Sequence, residues 1–133
     1  MELQDIKYLF RNYTRYKKGI AELNDKLDYL RSQAEKITPN YSSEGGGGGK
    51  NSNSKVETAV MKMQEIEEQI AQLEKLVSLA DRLLSRLKAH SRHLITEVYI
   101  NNQTYEEVAE KEHLSVSNLH KMINRYFKQL MEV

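Results

Sequence analysis

The apolar positions of this chain fall into two series with the period of a coiled-coil helix. In the first, one position recurs at Ile6, Tyr13, Ile20, Leu27 and Ala34, and its partner at Leu9, Tyr16, Leu23, Leu30 and Ile37. All of these are apolar or aromatic, which predicts a long helix over residues 1–37. Gly19 is its weak spot, costing about 1 kcal/mol relative to alanine. The second series runs Val56, Met63, Ile70, Val77, Leu84 and Ala59, Ile66, Leu73, Ala80, Leu87. It predicts a second long helix over 55–89, opened by a capping box in which Ser54 is the cap and Glu57 its partner. Each helix has an apolar stripe that needs covering, so an antiparallel, coiled-coil-like hairpin is expected, formed within one chain or between two. A hairpin has one shared seam, so self-association through the long helices is expected as well.

Between the two series, Thr38-Pro39 ends the first helix, because the residue ahead of proline disfavours helical backbone. The stretch Tyr41–Ser54, with glycine at every position from Gly45 to Gly49, has little to bury, so residues 38–54 read as a flexible Gly/Ser-rich linker. No Gly-Lys-Ser/Thr follows a strand here, which excludes a nucleotide-binding loop.

After Lys88 the heptads stop. Leu94, Ile95, Val98, Tyr99 and Ile100 form a cluster that predicts a short helix ending at Asn101-Asn102. Then comes TYEEVAEKEHLSVSNLHKMINRYF, Thr104 to Phe127, which reads as two short helices joined by a tight turn. Thr104 caps the first, with Glu107 completing a capping box, and Val108 and Ala109 form its apolar side. Ser115 caps the second, whose apolar side is Val116, Leu119, Met122/Ile123, Tyr126/Phe127 and Leu130. This is the pattern of a helix-turn-helix, whose second helix enters the DNA major groove in DNA-binding proteins. One such pair cannot make a core alone, so residues 90–133 are expected to form a three-helix module. Many such motifs carry leucine and glycine where this chain has Glu112 and His113. An acid cannot fill a core slot cheaply, so the first helix is expected to end early or tilt.

Charge turns this pattern toward a ligand. The first helix is acidic (Glu106, Glu107, Glu110, Glu112), whereas the second carries Lys121, Arg125 and Lys128 with no acid before Glu132. Its exposed positions are expected to be Ser117, Asn118, His120, Lys121, Asn124 and Arg125, side chains that hydrogen-bond base edges and phosphates. With the caps Thr104 and Ser115, whose helix-terminal amides suit phosphate oxygens, and Lys128, they make up the expected DNA-binding set. The basic run Arg11, Arg15, Lys17, Lys18 could touch DNA phosphates, but a solvated helix face is the favoured reading.

Composition narrows the class further. With 133 residues the chain is one domain, or a small domain with a helical arm. A formal net charge of +1 leaves any nucleic-acid affinity to local patches. The absence of cysteine excludes disulfides, thiolate zinc sites and cysteine nucleophiles. No stretch is long and apolar enough for a membrane span, and MELQDIKYLF lacks a signal peptide's layout, so no membrane partner and a cytoplasmic location are expected. His90 and His93 lie one helical turn apart without a third ligand at a telling spacing, so no metal or other cofactor is expected. No serine sits in a strand–elbow frame, and an enzyme is not expected.

The order of parts resembles a known family. RNYTRYKKGIAELNDKLDYL is followed by ITPNYSSEGGGGG, then by SKVETAV opening a long helix, and LITEVYINNQTYEEVAEKEHLSVSNLHKMINRYFKQL comes last. This resembles the ArpU/RinA-type phage transcriptional regulators of Gram-positive hosts, whose C-terminal part is similar to region 4 of bacterial sigma factors. The resemblance implies a phage or prophage activator of late, packaging or lysis genes that binds double-stranded DNA, in which the hairpin would set dimer spacing or hold host RNA polymerase. The competing expectation is an oligomeric helical protein of another class, such as a small terminase subunit in DNA packaging, although those usually carry the DNA module at the N-terminus. The fold expected on all counts is all-α: a long N-terminal helical hairpin followed by a helix-turn-helix module.

Overall fold

Why the chain folds where it does is clearest from its breaks. A computed structural model describes residues 1–37 and 49–132. Its helices are α1 (Leu3–Arg11), α2 (Tyr13–Ile37), α3 (Gly49–Ser85), α4 (Ala89–Ile95, continued by a π-helical segment Thr96–Ile100), α5 (Tyr105–Lys111) and α6 (Val116–Met131). The protein is all-α, with two long helices followed by a helix-turn-helix. Among the described residues no helix is long and apolar enough to cross a membrane.

The first long helix is interrupted, contrary to the unbroken span over 1–37. At Asn12 the side-chain Nδ2 donates to the Tyr8 carbonyl at 2.8 Å. That side chain competes for a ladder carbonyl, the usual way a short polar residue bends a helix. The second long helix starts at Gly49, so the backbone at Ser54 is already helical and Ser54 is not its cap. Once a nucleus exists, each further residue adds one hydrogen bond, and the helix runs back into the stretch assigned to the linker. The rest of that linker, 38–48, lies outside the described residues.

The chain forms two compact units, one of residues 18–74 and one of residues 1–17 with 75–133. In the unit of residues 18–74, α2 and α3 lie antiparallel. The Gly19 backbone meets the Leu73 side chain, with a Cβ placed there 3.2 Å from its Cδ1, while farther along α2 the Arg31 guanidinium lies 3.6 Å from Glu67. As numbers rise along one helix they fall along the other. The heptad positions face the seam: Leu27 and Ile70 are buried, and Ile20, Leu23, Leu30, Met63, Ile66 and Leu73 are half-buried. Glu65, Glu67 and Glu68 stay exposed, as their place outside the stripe predicts.

The other unit holds the main core. Leu94, Ile95, Val98, Tyr99 and Ile100 are all buried, as the sequence predicts. Three successive buried residues do not fit the α-helical period, and the wider π turn over Thr96–Ile100 accommodates them. Around this segment pack Val108 and Ala109 of α5 and Leu119, Ile123, Phe127 and Leu130 of α6. The core extends beyond residues 90–133. Ile6, Leu9 and Phe10 of α1 and Ala80, Leu83, Leu84 and Leu87 at the end of α3 belong to it. The physical reason is size: so short a segment buries too little apolar surface by itself. Phe10 and Phe127 stand with ring centroids 6.0 Å apart, and Tyr99 meets Phe127 edge-on at 4.9 Å. At the rim, the Tyr13 hydroxyl donates to Asp81 at 2.7 Å and the Arg86 guanidinium to the Glu132 carbonyl at 3.0 Å.

Candidate nucleic-acid interface

The two short helices begin where their caps place them. Thr104 is extended, and its Oγ1 accepts from the Glu107 amide at 3.1 Å, the Thr104 half of the expected box. Ser115 does the same for Asn118 at 3.1 Å. Each hydroxyl thereby satisfies an amide with no partner inside its helix. Both residues are exposed, but their hydroxyls are occupied by the fold.

The turn between the helices explains how the chain tolerates its two departures. His113 has φ 56°, the left-handed region for which glycine is the usual choice. The Leu114 amide reaches back to the Ala109 carbonyl at 2.9 Å and the His113 amide to Glu110 at 3.3 Å. These two bonds are a Schellman termination, with His113 in the glycine position. Helix α5 ends at Lys111, where a motif with glycine at position 113 would also end it. Glu112 avoids the core and meets His93 of α4, with the Nε2–Oε1 pair at 3.0 Å.

With this turn set, α6 buries Leu119, Ile123, Phe127 and Leu130 completely or nearly so. The opposite side is polar. Ser117, Asn118, His120, Lys121, Asn124, Arg125 and Lys128 are all exposed. Ser117, Lys121, Asn124 and Lys128 follow one another at three- and four-residue steps, so they share a face, flanked by Arg125. Among the described residues no carboxylate pairs with Lys121, Arg125 or Lys128. Their charge is therefore available to an outside anion.

Two residues enter this neighbourhood that sequence pattern did not single out. The Tyr105 ring stacks on His120, with centroids 3.8 Å apart and planes 14° from parallel. The stack holds the imidazole against the start of α5. The Tyr105 hydroxyl lies 3.0 Å from that of Tyr99, and burial followed by this hydrogen bond pushes its pKa well above the ordinary tyrosine value. The Arg11 guanidinium lies over the Tyr99 ring at 4.4 Å, and Lys7 of α1 lies 5.6 Å from the Phe127 centroid. No local motif signals these contacts, because α1 is about a hundred residues away in sequence.

The arrangement offers a rigid helix with one buried apolar face and one exposed face of cations, amides and hydroxyls. Such a face can donate to phosphate oxygens and to base edges. A family described as a protein of unknown function, DUF722, matches residues 3–132, and the chain belongs to that family. No curated protein and no solved structure matches the chain.

Proposed function

We propose that this member of the DUF722 family is a sequence-specific double-stranded DNA-binding regulator of transcription, with α6 as its recognition helix. The observation that carries the reading is the exposed face of α6, where Lys121, Arg125 and Lys128 have no carboxylate partner among the described residues and stand beside Ser117, Asn118, His120 and Asn124. In the major groove, Lys121 and Arg125 reach guanine edges or phosphates, and Asn118 and Asn124 offer amides to adenine. Lys128, near the C-terminal end of α6, suits the phosphate backbone. Thr104 and Ser115 set the angles at which the two helices leave the turn. The resemblance to ArpU/RinA-type regulators supports a phage or prophage late-gene activator that contacts host RNA polymerase, and the half-buried hairpin seam supports self-association that pairs two recognition helices.

The test is selection of duplexes from a random pool, followed by genome-wide occupancy of the tagged protein. A single enriched motif, found upstream of phage structural or lysis genes and lost in Lys121→Ala/Arg125→Ala, is the expected result. Arg125→Ala is expected to weaken motif binding by about 1–3 kcal/mol at fixed salt. Unchanged affinity in that variant means α6 is not the reading helix. Occupancy confined to a DNA-packaging start site favours a packaging role instead.

A further inference from the structure

The densest positive charge in the chain lies outside the helix-turn-helix. From Ile6 to Ala21 stand Lys7, Arg11, Arg15, Lys17 and Lys18 without one acidic residue, interleaved with Tyr8, Tyr13 and Tyr16. The whole protein carries a formal net charge of only +1, so this run is a strong local concentration. From sequence it reads as a solvated face. Its position in the fold changes that reading, because α1 is part of the core from which α6 projects.

Lys7 and Arg11 are one turn apart on α1, about 6 Å along the axis. Both are laid on rings of the helix-turn-helix core: Lys7 Nζ lies 5.6 Å from the Phe127 centroid, and Arg11 Cζ 4.4 Å from that of Tyr99. Phe127 is itself a residue of α6, three positions after Asn124, so Lys7 flanks the recognition helix. A guanidinium lying on a ring uses its face and keeps its N–H edges for an oxyanion. Among the described residues no carboxylate pairs with Lys7, Arg11 or Arg15. Beside them an open groove of about 540 Å³ is lined by Gln4, Asp5, Lys7, Tyr8, Arg11 and Tyr99. Its carboxylate, Asp5, is turned to its own helix start, where it accepts from the Glu2 amide at 3.2 Å.

We propose that α1 is a second DNA-contacting element, with Lys7 and Arg11 on the phosphates that flank the base pairs read by α6. The inference rests on the reading of α6 as a DNA helix. It favours duplex DNA over an acidic protein segment because the cations of α1 and α6 belong to one compact unit. A long regular polyanion meets both sets at once, whereas an acidic peptide needs only the stripe.

The test is a salt titration of binding to a labelled 30-base-pair duplex of mixed sequence, read by fluorescence anisotropy. It compares the full chain with Lys7→Gln/Arg11→Gln, Arg11→Lys and Arg125→Ala, each checked for helicity. Two lost phosphate contacts lower the slope of log affinity against log salt by about 1.8, and affinity near 0.1 M salt falls roughly tenfold or more. Arg11→Lys keeps the charge and is expected to keep the wild-type slope, which separates charge from folding. A wild-type slope in the double variant, alongside weaker binding by Arg125→Ala, overturns the role of α1 and leaves that of α6 standing. Loss of polyglutamate binding by the double variant, with its DNA slope intact, assigns the stripe to an acidic protein and also overturns the inference. Absence of duplex binding by the wild-type chain at low salt overturns both readings.

Discussion

Phe10→Ala is the most direct probe of how the helix-turn-helix is built. Phe10 is fully buried and stands 6.0 Å from Phe127, the residue of α6 that also receives Tyr99 edge-on at 4.9 Å. Removing the ring deletes the burial of a large aromatic side chain and leaves a cavity against α6, for which about 3–5 kcal/mol is the expected cost. A domain's whole stability is about 5–15 kcal/mol, so the loss is a large fraction of it. With a urea dependence of about 1.5–2 kcal/mol per molar, the unfolding midpoint falls by about 2 M. The measurement is urea unfolding of the full chain, followed by helicity and by the near-ultraviolet signal of the tyrosines. Tyr99 belongs to the affected cluster, so its signal is expected to change in the same transition. A midpoint shift equivalent to less than about 1 kcal/mol would refute the placement of α1 in this core. So would a fragment of residues 90–133 that folds as stably by itself as within the whole chain.

Three further outcomes follow from particular residues. His113→Gly relieves a left-handed backbone position and is expected to gain about 0.5–1 kcal/mol after the extra entropy of unfolded glycine, raising the melting temperature by a few degrees; a lower melting temperature counts against the observed turn. Gly19→Ala gains up to about 1 kcal/mol of helix propensity, opposed by a Cβ placed 3.2 Å from Leu73 Cδ1. Because that methyl ends a flexible side chain, a net gain of about 0.5 kcal/mol in thermal unfolding is expected, and a net loss shows a seam too rigid to yield. Tyr105 is raised above the ordinary value of 10.0 by burial and by its bond to Tyr99, and Tyr13 and Tyr16 are raised chiefly by burial. The folded state then keeps protons that the unfolded chain releases above about pH 10, so stability is full below that pH and falls as pH rises through the folded values. Tyr105→Phe is expected to flatten this alkaline decline in unfolding experiments run at successive pH values, and an unaltered decline refutes the assignment.

The helix-turn-helix was the most legible part of the fold because its signals are local. Thr104 and Ser115 cap amides three residues away, and the apolar spacing of α6 selects its buried face. The same spacing leaves Ser117, Lys121, Asn124, Arg125 and Lys128 on the outside, so the candidate interface was readable too. Asn12 was less legible, since the heptads continue through it and only its side-chain bond to Tyr8 reveals the break. Glu112 and His113 looked like defects in the pattern. The Glu112–His93 pair and the backbone bonds to Ala109 and Glu110 accommodate them, and His93 lies 19 residues from its partner.

Periodicity, capping and charge sign act over three to seven residues, so the chain alone indicates which stretches are helical and which side of each is apolar, though not the break at Asn12 or the start at Gly49. What covers each apolar side depends on contacts between segments distant in sequence, where many pairings satisfy the same stripe. Heptads from Ile6 to Leu9 fit a coiled-coil seam as well as a globular core. Only the folded chain assigned them, with Phe10, to the core beneath α6. The same step moved Lys7 and Arg11 from an anonymous helix face to the rings of Phe127 and Tyr99, because those rings come from segments far from α1 in the chain and meet it only when the core forms.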